Sequence, residues 1–465
     1  MPIAAFAGVF SRGAAAAALD DQAWVQALLD VEAGLARALA RAGLAPESAA
    51  HAVQTVAQAR RFSLTELAEG SAAAGNPVPA LVRALLREAG SLDPQAERAI
   101  HQGATSQDIV DSALMLLLQR ALPHVVDDLD ACADAAADLA RSHADTLIAG
   151  RTLLQHAVPL TFGLKAATWL HALVQLKTQL AELVRGLPVQ LGGAAGSLAA
   201  LEGRGLEVMQ LLAEELELSC PALPWHTVRL PILEAAGVLG RVAAISGKIA
   251  GDLSLLAQSD VAEVRELGGG AGSGGSSTMP HKQNPIGSIA AISCCRRVPG
   301  LVATLLCAAE QEHERAAGGW HAEWETLTEL VRLVGSAVSW LRAVLEGLEV
   351  DAARMRRNLD AALGLPLAER LSTALMPALG RTAAQAFVAD VCARAERSQR
   401  PLLAVLSENP QLMRVLDDAG IGAERLNVLL EPANYLGNTR ELIERALAEH
   451  ARSADTGAGT RTGDS

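Results

Sequence analysis

The chain has 465 residues, half of them hydrophobic but only 3% aromatic, and a net charge of −13. That acidic balance argues against nucleic acid as the main partner, yet leaves small anions open, because a few local cations decide their binding. Alanine and leucine dominate and there is one tyrosine, Tyr435, so the composition favours packed helices over sheets, and the length allows about three domains.

Residues 1–100 read as a first domain of shorter helices and loops, broken at Gly75-Asn76-Pro77-Val78-Pro79. Its alanine-rich start is not read as a signal peptide. No basic segment precedes the apolar part, and Arg12, Asp20 and Asp21 interrupt it. Residues 101–352 form a second, central domain of long helices. Apolar ladders run through 107–145, 159–185 and 232–258, and a further one comprises Leu327, Leu330, Val331, Val334, Val338, Leu341, Leu345 and Leu348. An irregular stretch at 186–197 separates two of them. The apolar stripes are broad for one chain, so several chains are expected to share a core. Residues 353–451 form a third domain of shorter helices, with loops at Pro366, Asn409-Pro410 and 431–434, and 452–465 read as a disordered tail. The fold class is all-α.

No stretch of about 18 uncharged apolar residues occurs, so no membrane partner is expected and the location read is cytoplasmic. Cys132, Cys220, Cys294, Cys295, Cys307 and Cys392 show neither a Cys-x-x-Cys pair nor zinc spacing, and read as buried free thiols. With no metal-ligand cluster and no nucleotide loop in the sequence, no cofactor is expected.

Three polar islands interrupt the helical pattern. The first, His101-Gln102-Gly103-Ala104-Thr105-Ser106-Gln107-Asp108, precedes a long helix, with Thr105 or Ser106 as its N-cap and an anion site at its start. The second runs from Gly150 to Ala157. In it Arg151 offers a planar fork for a carboxylate, Thr152 and Gln155 add donors, and His156 is open between a structural and a binding role. The third spans 268–285. Glycine occupies six of its first eight positions, and Ser276, Ser277, Thr278, Met279, His281, Lys282 and Asn284 follow. A glycine-rich lead before a dense polar cluster suits a loop that closes over a ligand. Weaker candidates are Trp225 to Arg229, Arg315 as an added anion-binding cation, and Trp320 to Trp324.

The order and spacing of the islands resemble the three motifs of the fumarase/aspartase superfamily, over residues from about 10 to 450. Gly275 to Pro285 resembles its signature loop, and 101–111 and 150–157 its first and second motifs. Further strings at 74–78, 190–196, 224–227 and 318–324 are similar to its lactone-forming cycloisomerase branch. The amine-releasing branch, which includes adenylosuccinate lyase, is expected to carry a histidine acid where this chain has Leu153. Arg229-Leu230 departs from a common Arg-Asp pair and leaves that segment's role open.

The resemblance implies a homotetramer whose long helices form a common core, with each site drawing one motif from each of three chains. It implies a polycarboxylate substrate, a carboxylated muconate, with Ser276 or Ser277 as the base toward a carbon beside a carboxylate. Lys282 and Asn284 would stabilise the resulting charge. His101, Thr105, Ser106, Arg151, Thr152, Gln155, His156, Met279, His281 and Arg315 complete the candidate substrate contacts. An amine-releasing lyase and a non-catalytic structural member of the superfamily are the alternatives.

Overall fold

A computed structural model describes residues 4–267, 275, 278, 279 and 281–458 of the chain. Its long elements are helices: α1 (Asp21–Arg41), α2 (Ser106–Ser142), α3 (Phe162–Gly186), α4 (Leu230–Leu256), α5 (Ile286–Ala308) and α6 (Gly319–Glu346). Of these, α2, α3, α4 and α6 match the four ladders read from sequence, except that Leu348 falls in a strand beyond α6, and the all-α class holds. Strands among the described residues form two antiparallel pairs, β1 (Leu147–Thr152) with β2 (Gln155–Thr161) and β3 (Val264–Glu266) with β4 (Leu348–Val350).

Contacts divide the chain into two compact units. The first takes Met1–Asp130, Gln175–Ala250 and Ser288–Arg342; the second takes Ala131–Val174, Gly251–Gly287 and Ala343–Ser465. These boundaries fall inside long helices.

In the first unit, α1 starts where the Asp20 carboxylate accepts from Ala23 N at 2.8 Å, and it ends with Arg41 in its last turn. Both features complement the helix dipole. Its buried face, including Val25, Leu28, Leu29, Leu35 and Leu39, packs against the helices Glu47–Val56 and Gly205–Leu216. Each such leucine is worth about 1.5–3 kcal/mol against exposure. The α2 positions Leu114, Met115, Leu117, Leu118 and Leu122 are buried too, as are Leu327, Leu330, Val331, Val334, Val338 and Leu341 of α6.

In the second unit, β1 and β2 form a hairpin with Arg151 opposite His156 and Thr152 opposite Gln155. The register shifts between Ala149 and Arg151. Gly150 permits that bulge, because a Cβ there would stand 2.5 Å from the Val158 carbonyl oxygen. The helix Ala352–Asp360 lies against β1. Helices from Ala368 onward enclose a core of Leu371, Leu375, Val391, Leu402, Leu406 and Leu416. The last helix, Thr439–Ala458, takes in 452–458 from the stretch assigned to a tail; 459–465 lie outside the described residues.

One expectation needs correction. The six cysteines are free, but Cys220 and Cys307 are exposed and Cys392 half-buried. A polarity pattern marks a buried position on a helix poorly when the thiol itself is small and weakly polar. Burial pushes the Cys294 and Cys295 thiols up to about 11 and about 12, which keeps them protonated. The helices α2, α4 and α5 each contain an 18-residue window long and apolar enough to cross a membrane by length and composition, and none of the three windows is free of charge. Those windows are 72%, 44% and 33% buried, respectively.

Candidate active site

The site residues of the first unit gather around the start of α2. Thr105 precedes the helix, and the Asp108 carboxylate, three residues on, accepts from its backbone N at 2.9 Å. This is one half of a capping box. The same carboxylate accepts from Gly192 N and Gly193 N, both at 2.9 Å, and stands 2.6 Å from His226 Nε2. Asp108 is buried and fully occupied, so it ties three distant segments together and has no lone pair to spare as a base. The approach is tight: a Cβ on Gly192 would stand 2.7 Å from His226 Cε1.

One turn further, Arg229 is buried between two carboxylates. It meets Asp111 at 2.7 and 3.0 Å and Glu323 at 2.5–3.1 Å, and lies 4.7 Å from the Trp225 ring centroid. Trp320 Nε1 and Gln190 Nε2 also donate to Asp111, and Gln311 Nε2 donates to Glu323. Burial alone would lower the Arg229 pKa; Asp111 and Glu323 hold it above its ordinary value. The 225–229 segment is thus an anchored wall, which gives Arg229 a structural role. Beside it, the rings of Trp320, His321 and Trp324 pack together, with centroids 4.7–5.2 Å apart.

His101 has a left-handed backbone, φ 55°. The buried Glu32 carboxylate holds it twice, accepting from His101 N at 3.0 Å and meeting Nδ1 at 2.7 Å. Burial pushes the imidazole pKa down, but hydrogen bonding and charge from Glu32, with Asp108 behind it, more than reverse this and raise it. The sign follows from linkage. A raised folded pKa contributes stability that is present below the unfolded value of about 6.5 and is lost as pH rises through the folded pKa. Urea unfolding should therefore show a loss of stability from pH 6 upward that is absent from Glu32→Gln. An identical pH slope in the two proteins would show that the pair contributes nothing. Arg315 also joins this group, donating to Gln107 and to the carbonyls of Gly193 and Ala194. Ser106 is the first residue of α2.

The second unit holds the other candidates. The second polar island, expected beside a long helix, forms the end of the β1–β2 hairpin. Its turn is Leu153-Leu154, with φ 50° and 65° and with 97% and 73% exposure. Two-residue hairpin turns of this hand normally use asparagine or glycine, which is why no turn signal was legible there. Thr152, Gln155 and His156 are exposed beside it. Burial, then the Arg151 charge, lower the His156 pKa, so the ring is neutral near pH 7.

Arg151 is engaged differently from the expectation. Its fork holds the fully buried Glu263, Nη1 to Oε2 at 2.9 Å and Nη2 to Oε1 at 2.7 Å, and Asn358 Nδ2 donates to the same carboxylate at 2.8 Å. Arg151→Met should lower the unfolding free energy by about 2–3 kcal/mol, because Glu263 is left buried and half-satisfied. Arg151→Met/Glu263→Leu should recover most of it in urea unfolding. Unchanged stability together with a large rise in KM would instead make substrate binding the main role of the guanidinium.

Of the third island, Ser276 and Ser277, the two candidate bases, lie outside the described residues, as do 268–274 and Pro280. Gly275 pairs with Gln283 in an isolated antiparallel bridge, and Lys282 N donates to Met279 O at 3.0 Å. Met279, His281 and Lys282 are exposed and Asn284 half-buried. Glu266 Oε2 accepts from Gly287 N at 2.9 Å, fixing the start of α5 behind the loop. Glu32 and Glu263 were not among the expected site residues, and Gln107, Asp108, Asp111, His226 and Glu323 lay within the polar segments read from sequence without a role of their own. Only Asp108 carried a local signal, the Thr-x-x-Asp spacing of a cap.

Long helices of this order with these three motifs define a lyase of the fumarase/aspartase type. The family described as Lyase matches residues 11–300 and the Adenylosuccinate lyase C-terminus matches 364–446, and the chain belongs to the fumarase/aspartase superfamily. It is 49% identical to the 3-carboxy-cis,cis-muconate cycloisomerase of Pseudomonas aeruginosa, over 96% of both chains. It is 42% identical to the nitrosuccinate lyase of Streptomyces davaonensis, over 93% of this chain and 91% of that one. The crystal structure of 3-carboxy-cis,cis-muconate lactonizing enzyme from Pseudomonas putida superposes with a TM-score of 0.89 at 46% identity, covering 97% of this chain and 99% of that one.

Proposed function

We propose that this chain is an intramolecular lyase that closes 3-carboxy-cis,cis-muconate to 4-carboxymuconolactone, a step of protocatechuate catabolism in the cytoplasm. The observation that carries this reading is the 49% identity, over nearly the full length of both chains, to the Pseudomonas aeruginosa cycloisomerase. The Leu153 position agrees with it. An amine-releasing enzyme needs an acid for its leaving group, and leucine has no proton to give. Ring closure within one molecule has no departing group to protonate.

In the forward direction a substrate carboxylate oxygen forms a bond to one alkene carbon. The π electrons move to the neighbouring carbon, which is α to another carboxylate, and that carbon takes a proton. In the reading proposed here a signature-loop serine, Ser276 or Ser277, supplies that proton and removes it in reverse. Lys282, Asn284 and loop amides stabilise the enediolate. Donors of this kind are worth about 10²–10³-fold each. His101, Thr105, Ser106 and Arg315 hold carboxylates, and Thr152, Gln155, His156, Met279 and His281 line the remainder. Arg151 shapes the hairpin through Glu263.

The assembly proposed is a homotetramer. Leu255, Ile289 and Leu306 are 45–58% exposed, and the α4 and α5 windows are less than half buried, so their apolar faces pack on other copies of the chain and not on lipid. Light scattering should report four chains. The activity test is loss of ultraviolet absorbance of 3-carboxy-cis,cis-muconate, with adenylosuccinate and nitrosuccinate as parallel substrates. The nitrosuccinate arm is included because of the 42% identical lyase. Faster turnover of either parallel substrate would overturn the cycloisomerase reading.

A further inference from the structure

The arginines singled out in the two units are held in two ways. Arg229 and Arg151 face carboxylates, so their charge is cancelled where they stand. Arg315 is held by neutral groups. Nη1 donates to Gln107 Oε1 at 3.0 Å, and Nη2 donates to Ala194 O at 2.9 Å and, more weakly, to Gly193 O at 3.4 Å. Among the described residues no carboxylate comes within ion-pair distance of it, and its Nε–H finds no protein acceptor. A half-buried guanidinium placed this way keeps most of its field for an incoming anion.

The acceptor that fixes it has one possible orientation. Gln107 is fully buried at the start of α2, and its Nε2 donates to the His226 carbonyl at 2.8 Å. Only the NH₂ end of an amide can donate, so the oxygen end must face Arg315. His226 is itself fixed by Asp108 at 2.6 Å. A chain of buried hydrogen bonds therefore runs from Asp108 to Arg315. A glutamate at 107 would hold the guanidinium as firmly, but would neutralise it.

We propose that Gln107 is a positioning residue that aims Arg315 at a carboxylate of the substrate while leaving the arginine's charge uncancelled. This rests on the reading of the substrate as a polycarboxylate. The consequence is a division of labour among the arginines: Arg315 binds the anion, and Arg151 and Arg229 build the walls.

The test is a double-mutant cycle of Gln107→Asn and Arg315→Gln, with Gln107→Glu as a third variant. The readouts are KM and kcat for 3-carboxy-cis,cis-muconate, calorimetric Kd for tricarballylate and thermal midpoint. Gln107→Asn keeps neutrality but is too short to reach Arg315. It should raise KM and Kd about tenfold, with kcat changed less. In the Arg315→Gln background it should raise them no further. Gln107→Glu should raise both by at least as much and lower the thermal midpoint, because it also loses the donor to the His226 carbonyl; if it does not fold, the cycle alone decides. Additive effects of Gln107→Asn and Arg315→Gln, or a Gln107→Asn protein that binds like wild type, would overturn the proposal. Failure of the underlying reading looks different. Wild type would then not lactonise the muconate, while a non-additive cycle in tricarballylate Kd would still support the role of Gln107. A wild-type protein that neither lactonises the muconate nor binds tricarballylate would refute both.

Discussion

Arg229→Met should lower the unfolding free energy by about 3–5 kcal/mol or more, a large share of the 5–15 kcal/mol typical of a domain. The guanidinium is the cation between Asp111 and Glu323, and all three groups are buried. Methionine fills much of the volume but leaves two carboxylates facing each other. Trp320, Gln190 and Gln311 would still donate to them, but neutral donors do not offset two desolvated charges. The variant should accordingly be less unstable at pH 5 than at pH 8. Unpaired buried carboxylates have raised pKa values, so protonating them relieves the penalty and deprotonating them restores it. Urea unfolding at the two pH values, with Arg229→Lys as an intermediate case, checks this. Lysine keeps the charge but cannot span two carboxylates with a planar fork. Wild-type stability in Arg229→Met would mean that the network contributes no net stabilisation.

The contrast between Arg229 and Arg151 shows what was legible before the fold was known. Helical ladders such as Leu327 to Leu341 were plain, because a period of 3.6 residues is a local property and the corresponding side chains are buried as expected. The hairpin at 147–161 was not. Its turn consists of two leucines in left-handed conformations, against every local turn preference. The polar islands were found because clusters of His, Thr, Ser, Gln and Arg stand out in an Ala/Leu background. What each residue does inside an island was less accessible. Arg151 looked like a free fork, yet its partner Glu263 lies 112 positions away in the chain. Gln107 was one member of a polar island with no role of its own, yet it is buried and oriented by a carbonyl 119 positions away. Pairings at such separations leave no mark in one sequence. The residues they recruit, such as Glu263 in a connection and Glu323 in a helix, resemble ordinary surface charges until the fold buries them.

Ser276→Ala or Ser277→Ala should lower kcat by about 10²-fold or more, which corresponds to about 2.7 kcal/mol of transition-state stabilisation. The proposal needs one group that gives a proton to the α-carbon during ring closure and takes it back on ring opening. A serine does so poorly at its free pKa, so it requires cationic surroundings and preorganised donors. The chain contains four lysines, Lys165, Lys177, Lys248 and Lys282, and the last lies within the signature segment. Removing the hydroxyl removes the proton carrier and leaves the carboxylate-binding groups intact. The variant should therefore keep its KM within a few-fold while kcat falls. A second measurement separates chemistry from folding. With the lactone in deuterated water, the wild-type protein should exchange the α-hydrogen for deuterium, whereas the variant of the true base should not, even if it binds the lactone and unfolds at the wild-type temperature. The neighbouring serine variant, tested in the same way, identifies which of the two hydroxyls carries the proton. If both single variants exchange and turn over like wild type, the proton carrier lies elsewhere. His101, held by Glu32 with its pKa raised, would then be the next group to replace.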